Sequence, residues 1–568
     1  LRLAGNLVLG GVSSYIAIDN TSYLGLASTN PTSLKLTAGQ LQNSGTVGIG
    51  VGQTLTLSGS YLQQGGAYQV GIGAGTSAGM FNVTSAAILN QASISPVLSS
   101  IAPSIGSMYT VLSAGSGYVG RFGSVTQPAN VLAGTQFIAL QNVADNGRVD
   151  LAVVPKAYTT ALAGNTDNIY SLATTFDSLI YNNTIGNQTR NQLMLLGALA
   201  RQTQSSLPDF TQSLKGEVFP AAIAATTQAS QRVQHSVISH LDDMIAAPAG
   251  NLNVMASVMP KFSSYHPLTN PSGAPGPEVS SNPDAAAAAG GVIANGRAWG
   301  EVVTQYMNRS SNSTGGGAQS YLYQATFGGD FYQENETRLG AGFTLGKSSL
   351  KANQYLETGY VQQYSAFGYG RTKVQDFVLD AMVLFGINTT DVSRADSTGW
   401  SSGFSVKGVG GQDALVSLGV SRPFVQPEIT FTPYGRVTWQ YQARAGFNEG
   451  LSPAALTVDS YSANGARAIV GVQAGSNQTD PMKERYTYRL NLAVGLDTSG
   501  LLNPTVGTSL AGYSTTVSTA QVGPAFVQAA VYGTARLGEN AYGYAGLSIE
   551  ARNGLTVAGG SLGVKVEF

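Results

Sequence analysis

Three histidines, His235, His240 and His266, are the only imidazoles in 568 residues, and there is no cysteine. A serine or thiol nucleophile needs a base within reach. Residues 1–230 contain neither His nor Cys, so no Ser-His-Asp or Cys-His machinery fits there. The G-D-S-G and G-D-S-L motifs of serine hydrolases are also absent. His235 and His240 stand five apart, whereas a helical zinc pair stands four apart. Asp and Glu are sparse in the N-terminal part and give no support to a glycosidase pair. The expectation is a chain with no catalytic, cofactor or metal site, and not itself an enzyme.

The charged side chains point to another use. Only 10% of residues are charged, against about 25% in soluble domains, and net charge is −1. No basic stripe exists, which argues against a nucleic-acid partner. From about residue 295, charges recur on one face of alternating stretches. In Arg338–Gly346, Leu339, Ala341, Phe343 and Leu345 face one way; Arg338, Gly340, Gly342 and Thr344 face the other. In Arg485–Leu496 the apolar set is Tyr486, Tyr488, Leu490, Leu492, Val494 and Leu496, opposite Arg485, Thr487, Arg489, Asn491, Ala493 and Gly495. The terminal stretch TVAGGSLGVKVEF, Thr556–Phe568, repeats the pattern. Strict alternation is an extended strand with two unlike faces.

About 12 such strands begin near residues 295, 320, 336, 358, 373, 412, 427, 464, 484, 521, 540 and 556, an even number as bacterial barrels require. No apolar run approaches the roughly 18 residues of a transmembrane helix. A spanning structure must then be a closed barrel. The mainly-β reading is therefore a transmembrane antiparallel β-barrel over residues 294–568. Arg338, Tyr434, Arg436, Arg467, Arg485, Arg489 and Glu301 are expected to line a hydrated lumen. They either guide a helix or pair with each other.

Upstream, residues 1–156 alternate in short runs such as Leu34-Lys35-Leu36 and Leu55-Thr56-Leu57. Their spacing of about 20 residues suits the rungs of a β-solenoid. Over residues 157–247 the pattern turns helical, first at Tyr170–Leu179 and Asn191–Arg201. From Pro220 to Ile245 the apolar stripe (Val233, Val237, Ile238, Leu241, Ile245) is narrow and the rest small and polar; a surface helix carries a broader stripe, and a helix lodged in a hydrated barrel does not need one. Residues 248–293 are rich in Pro, Gly and Ala and read as a flexible linker. The chain opens LRLAGN, without Met or a signal peptide, so more sequence is expected before Leu1.

Together these features resemble the monomeric (type Va) autotransporters. The barrel motifs GRAWGE (Gly296–Glu301) and FTPYGRVTWQYQARAGFNEG (Phe431–Gly450) carry the likeness. Gly216-Glu217 matches the family's S-G-E, with Lys215 in place of Ser, and Arg232 falls near its recurrent basic residue. GSMYTVLSAGSGYVGRFGSV (Gly106–Val125) resembles a pertactin-like autochaperone region through Tyr109, Gly120 and Phe122. Terminal Phe568 resembles the assembly signal of outer-membrane barrels. The resemblance implies a right-handed parallel β-helix fragment and a barrel that exports it to the surface of a Gram-negative cell. It also implies outer-membrane lipid, barrel-assembly machinery and periplasmic chaperones as partners, and a passenger that is an adhesin or surface structure. A solute porin, or an anchor for an enzymatic passenger upstream of Leu1, are the alternatives. No Asn lies between Phe210 and Ala249, so relatives' cleavage at an Asn in the pore helix does not transfer.

Overall fold

The computed structural model describes residues 1–9, 13–26, 33–99, 102–141, 147–242, 297–334, 336–352, 356–396, 398–399, 402–476 and 486–567. The linker expected at 248–293 lies outside them, as do Arg485, His266 and Phe568.

Residues 1–155 form two sheets of stacked parallel strands. The two leucine pairs read from the sequence stack directly: Leu34 opposite Leu55 and Leu36 opposite Leu57. The ladder continues to Phe81 and Val83, then to Leu112 and Ala114. All these side chains are buried, because a rung can hide its apolar face only under its neighbours. Tyr68 donates 2.6 Å to the carbonyl of Val111 and ties two rungs across the core. Burial pushes its phenol well above the usual range, so it stays a donor. An antiparallel hairpin, Thr135–Gln141 with Arg148–Pro155, closes the stack onto Met108–Ala114.

Five helices follow: α1 (Tyr158–Ala161), α2 (Asp167–Ile185), α3 (Arg190–Leu199), α4 (Leu207–Ser213) and α5 (Val218–Asp242). Gly186, at φ 73°, stops α2 in the left-handed conformation that glycine adopts without strain. Arg121 of the solenoid donates to the freed carbonyls of Asn183 and Thr184. α3 opens with a capping box between Thr189 and Gln192. α5 starts two residues before Pro220, where the sequence placed its start; Pro is tolerated in the first turn.

The barrel has twelve strands: β1 (Arg297–Arg309), β2 (Ala318–Glu334), β3 (Thr337–Ala352), β4 (Glu357–Val374), β5 (Phe377–Arg394), β6 (Phe404–Ser421), β7 (Ile429–Arg444), β8 (Tyr461–Ser476), β9 (Tyr486–Asp497), β10 (Ala525–Arg536), β11 (Ala541–Arg552) and β12 (Leu555–Glu567). Each pairs antiparallel with its neighbours, and β1 pairs with β12 to close the ring. Leu339, Phe343, Leu345, Tyr486, Tyr488, Leu490, Leu492, Val494 and Leu496 are exposed on the outside, while Arg338 and Arg489 are buried inside. Turns at one end are as short as 375–376; the long connections 445–460 and 498–524 lie at the other. Short turns face the periplasm and long loops the exterior.

The two long loops build a small antiparallel sheet of Phe447–Asn448, Leu456–Val458, Thr505–Leu510 and Tyr513–Ser518 over the outer mouth. One hydrophobic core runs from the last solenoid hairpin (Ile138, Leu140, Ala152, Val154) through α1–α4 (Leu172, Phe176, Leu195, Phe210) into this sheet (Leu456, Val458, Val506, Leu510). One face of the last solenoid hairpin, the helices and the outer end of the barrel thus share an apolar core, beside the separate core of the solenoid rungs.

The lumen helix and the barrel mouth as the candidate functional site

α5 enters at the outer mouth and ends near the periplasmic rim. Its sequence suits a narrow tube: Ala, Ser, Thr and Gln keep it slim, and every residue but Gln228, His235, Ile238 and Asp242 is buried. Those four lie along one stripe of the helix. Three of them, His235, Ile238 and Asp242, border a cavity of about 40 Å³ with Tyr434, Arg436, Asn491 and Gln528, polar and wide enough for ordered water.

At the mouth, the buried Glu217 carboxylate accepts from Lys215 (3.1 Å), Asn168 of α2 (2.7 Å) and the backbone N–H of Gly316 between β1 and β2 (2.9 Å). The departure from S-G-E is therefore compensated inside the motif: Lys215 neutralises Glu217. Glu357 at the start of β4 accepts from the N–H of Val218 (2.7 Å), placing a negative charge on the positive end of the α5 dipole. Arg394 at the end of β5 donates to the carbonyls of Ser213 (2.9 Å) and Ala454 (2.8 Å) and pairs with Glu449. α2 is stitched to the loop sheet by Asn168, which exchanges two 2.9 Å hydrogen bonds with the Ser518 backbone.

Further down, Ser230 donates to Asp413 (2.7 Å) and accepts from Gln363 (2.8 Å). Gln231 accepts from Arg467 (2.6 Å), and Arg232 pairs with Glu301 (3.3 Å). Gln234 donates 2.7 Å to both Ser417 and Thr438. Arg489 donates to Ser239 (2.9 Å). In the last turn the His240 ring stacks on Trp299 (4.6 Å between centroids) and lies 3.2 Å from Asp330, which also accepts from Tyr369 (2.7 Å).

The sequence-predicted lumen residues are thus distributed as follows. Arg232, Arg467 and Arg489 touch α5 or belong to it, and Glu301 holds Arg232. Arg436 pairs with Asp380 (2.6 Å), and Arg338 stands 4.0 Å from Asp330. Tyr434 donates 2.9 Å to Asn491 across two strands. Arg467 also pairs with Asp497 and Glu550. Guiding a helix and pairing internally are therefore one network. The expected hydrated lumen is largely filled, and its charges are buried and partnered, because α5 displaces the water.

Glycines at inward positions do not make room for α5 directly. Gly340 lies under the ring of Tyr369, Gly342 under Phe367 and Gly495 under Phe526, so each admits an aromatic ring from a nearby strand. Tyr109, Gly120 and Phe122 sit far from the lumen, in the solenoid. Tyr109 and Phe122 are core residues, and Phe122 stacks on Tyr68 at 6.0 Å. Gly120, at φ 80°, packs against the Leu89 carbonyl where no side chain fits.

Sequence reasoning missed Glu357, Asp413, Gln234, Trp299, Asp330 and Tyr369. Inward parity marks each of the strand residues, but partners some 40 to 200 residues away decide their roles. Among the described residues no group of three or more His, Cys, Asp or Glu gathers as metal ligands do. α5 contains no Asn.

Residues 298–548 match the family model described as autotransporter β-domain. Solved structures similar to the chain include the translocator domain of autotransporter NalP from Neisseria meningitidis, at 16% identity over 48% of this chain and 88% of that one, TM-score 0.40. The transport unit of AIDA-I from Escherichia coli matches at 14% identity over 48% and 90%, TM-score 0.39. The β-domain of the Bordetella autotransporter BrkA matches at 16% over 48% and 99%, TM-score 0.35. No curated protein matches the sequence. A closed twelve-stranded barrel filled by the helix before it, under the match over residues 298–548, is an autotransporter β-domain, a type V secretion barrel that exports a passenger across the Gram-negative outer membrane.

Proposed function

We propose that the chain exports its own N-terminal β-solenoid and holds it on the cell surface as an attached adhesive or structural passenger, and that it has no enzymatic activity of its own. The observation that carries this reading is the continuous core joining the last solenoid hairpin, α1–α4 and the outer loops. A released passenger has no use for an apolar joint to its barrel. Separating the two would expose Leu456, Val458, Val506 and Leu510 to water, at about 1.5–3 kcal/mol for each Leu or Val side chain.

Export then needs no nucleotide. The chain passes outward unfolded, a passage that the absence of disulfides permits. Packing of α2–α4 on the loop sheet seats the first segment, and stacking of rungs on the hairpin of residues 135–155 releases free energy step by step. In this reading Tyr109, Gly120 and Phe122 belong to the autochaperone region, whose early folding templates the remaining rungs. Barrel-assembly machinery, reached with periplasmic chaperones, reads the carboxyl terminus. Deleting Phe568 is expected to lower the yield of heat-modifiable barrel in outer membranes, and unchanged yield would count against that role.

Surface retention is tested on intact cells with an epitope inserted at Gly5. The epitope is expected to stay with the outer membrane and to be removed by external protease. Its accumulation in the medium would contradict attachment. The porin alternative predicts a large, steady conductance from the intact protein in planar bilayers; a lumen filled by α5 predicts a low one.

A further inference from the structure

Charge on the lipid-facing side of a barrel is costly at mid-depth and tolerated only near the interfaces. In the outer half of this barrel it is confined to one sector. Lys347 and Lys351 project outward from β3, directly above the apolar run of Phe343 and Leu345. Lys407 projects from the bulge of β6 opposite Asp391, which is occupied in accepting 2.7 Å from the N–H of Gly408. Among the described residues, no other outward position in the outer half of any strand is Lys or Arg, and the outer connections contain neither type.

The three lysines surround Tyr360, whose ring lies 4.9 Å from the ammonium of Lys347. Lys347 is paired across β2 with Tyr323 and across β4 with Gln362; Lys351 is paired with Gln319 and Thr358. Tyr321, Tyr323, Tyr360 and Tyr364 are all exposed around them, which puts the lysines at the height of the aromatic girdle. Four residues of β3 separate the first two lysines by about 13 Å, and three strand spacings carry the third about 14 Å away. This is a dispersed triangle of cations with hydroxyls and amides between them, rimmed below by apolar surface.

We propose that this sector of β3–β6 binds the phosphorylated headgroup of an outer-leaflet glycolipid. The lysines and their polar neighbours hold phosphates, and Phe343, Leu345 and Ile387 pack against the acyl chains below. Charge complementarity argues for phosphate, and the depth argues for a lipid over a soluble anion, since each ammonium sits where the headgroup layer meets the hydrocarbon. One side of the barrel would then carry a fixed lipid while the sector around the β1–β12 seam, with no outward cation, exchanges lipid freely.

The test is native mass spectrometry of the intact protein in detergent, mixed with lipid A bearing two phosphates or with both removed. The wild-type protein is expected to retain the phosphorylated form preferentially. Each Lys→Gln change should lower that retention about fivefold, taking about 1 kcal/mol per lysine. The combined K347Q/K351Q/K407Q protein should show no preference. K373Q, near the periplasmic rim where Lys373 pairs with Glu336, should behave as wild type. Equal retention of both lipids by the wild-type protein overturns the proposal without recourse to any variant. A preference that survives in the triple variant overturns the assignment to these lysines.

Discussion

The solenoid and the barrel are built from the same period-two alternation, turned inside out. In the solenoid, Leu34, Leu36, Leu55, Leu57, Phe81 and Val83 point inward and stack on their like. In the barrel the apolar set points outward to lipid, and the inward set is largely Arg, Glu, Gln, Ser and Thr, with an apolar patch (Trp299, Phe367, Met382, Leu384, Leu415) under Val233, Val237 and Leu241 of α5. An apolar interior is undemanding about its partner, since any hydrophobic rung of fitting size extends it. A polar interior is demanding, because each buried charge or amide needs a partner of matching geometry. α5 supplies those partners, so the lumen is specific to one helix while the solenoid grows by repetition. The inversion also assigns stability differently: hydrophobic burial holds the solenoid together and joins it to the outer loops of the barrel, while α5 is fixed in the lumen chiefly by hydrogen-bonded partners.

The strongest way to sharpen the contrast is Phe81→Ala. Phe81 is fully buried and meets Tyr61 edge-on at 4.8 Å. The loss is expected to be about 3–5 kcal/mol, confined to the solenoid. Limited proteolysis should show residues 1–155 digested early while the barrel keeps its heat-modifiable migration. Somewhat smaller is the reverse experiment on the outer face. Leu492→Arg should cost about 2–4 kcal/mol near mid-membrane, and Asn491→Arg, one residue along and facing the lumen, far less. Reversible unfolding in lipid vesicles measures both. Equal costs would mean that the inside-out relation fails at β9.

Much of this contrast was legible in the residues themselves. Leu34 and Leu36 announced their stacking partners 21 positions on, and Arg338 or Arg489 against their apolar neighbours gave the barrel's parity. The small, narrow-striped sequence after Pro220 pointed to a helix inside a tube. The loop sheet was not legible: strands of two to six residues, such as Phe447–Asn448 and Thr505–Leu510, are too short to show a period. The start of β6 was placed near 412 and lies at Phe404, because the bulge at Lys407-Gly408 breaks the alternation there. Ion-pair partners such as Arg232 with Glu301 depend on how α5 is rotated and seated, which no local pattern encodes.

The central claim is that α5 occupies the lumen and is fixed there by side-chain partners. It is tested most directly by a cysteine pair at Ser230 and Asp413, whose side-chain oxygens lie 2.7 Å apart, in a chain with no native cysteine. Ser230→Cys with Asp413→Cys, expressed together and oxidised mildly in intact outer membranes, should form an intramolecular disulfide in most molecules, seen as a reducible gel shift. Pairing Ser230→Cys with Leu418→Cys, which faces lipid on the same strand, should give none. Absence of the first crosslink in properly assembled barrels would place α5 outside the pore and contradict the account.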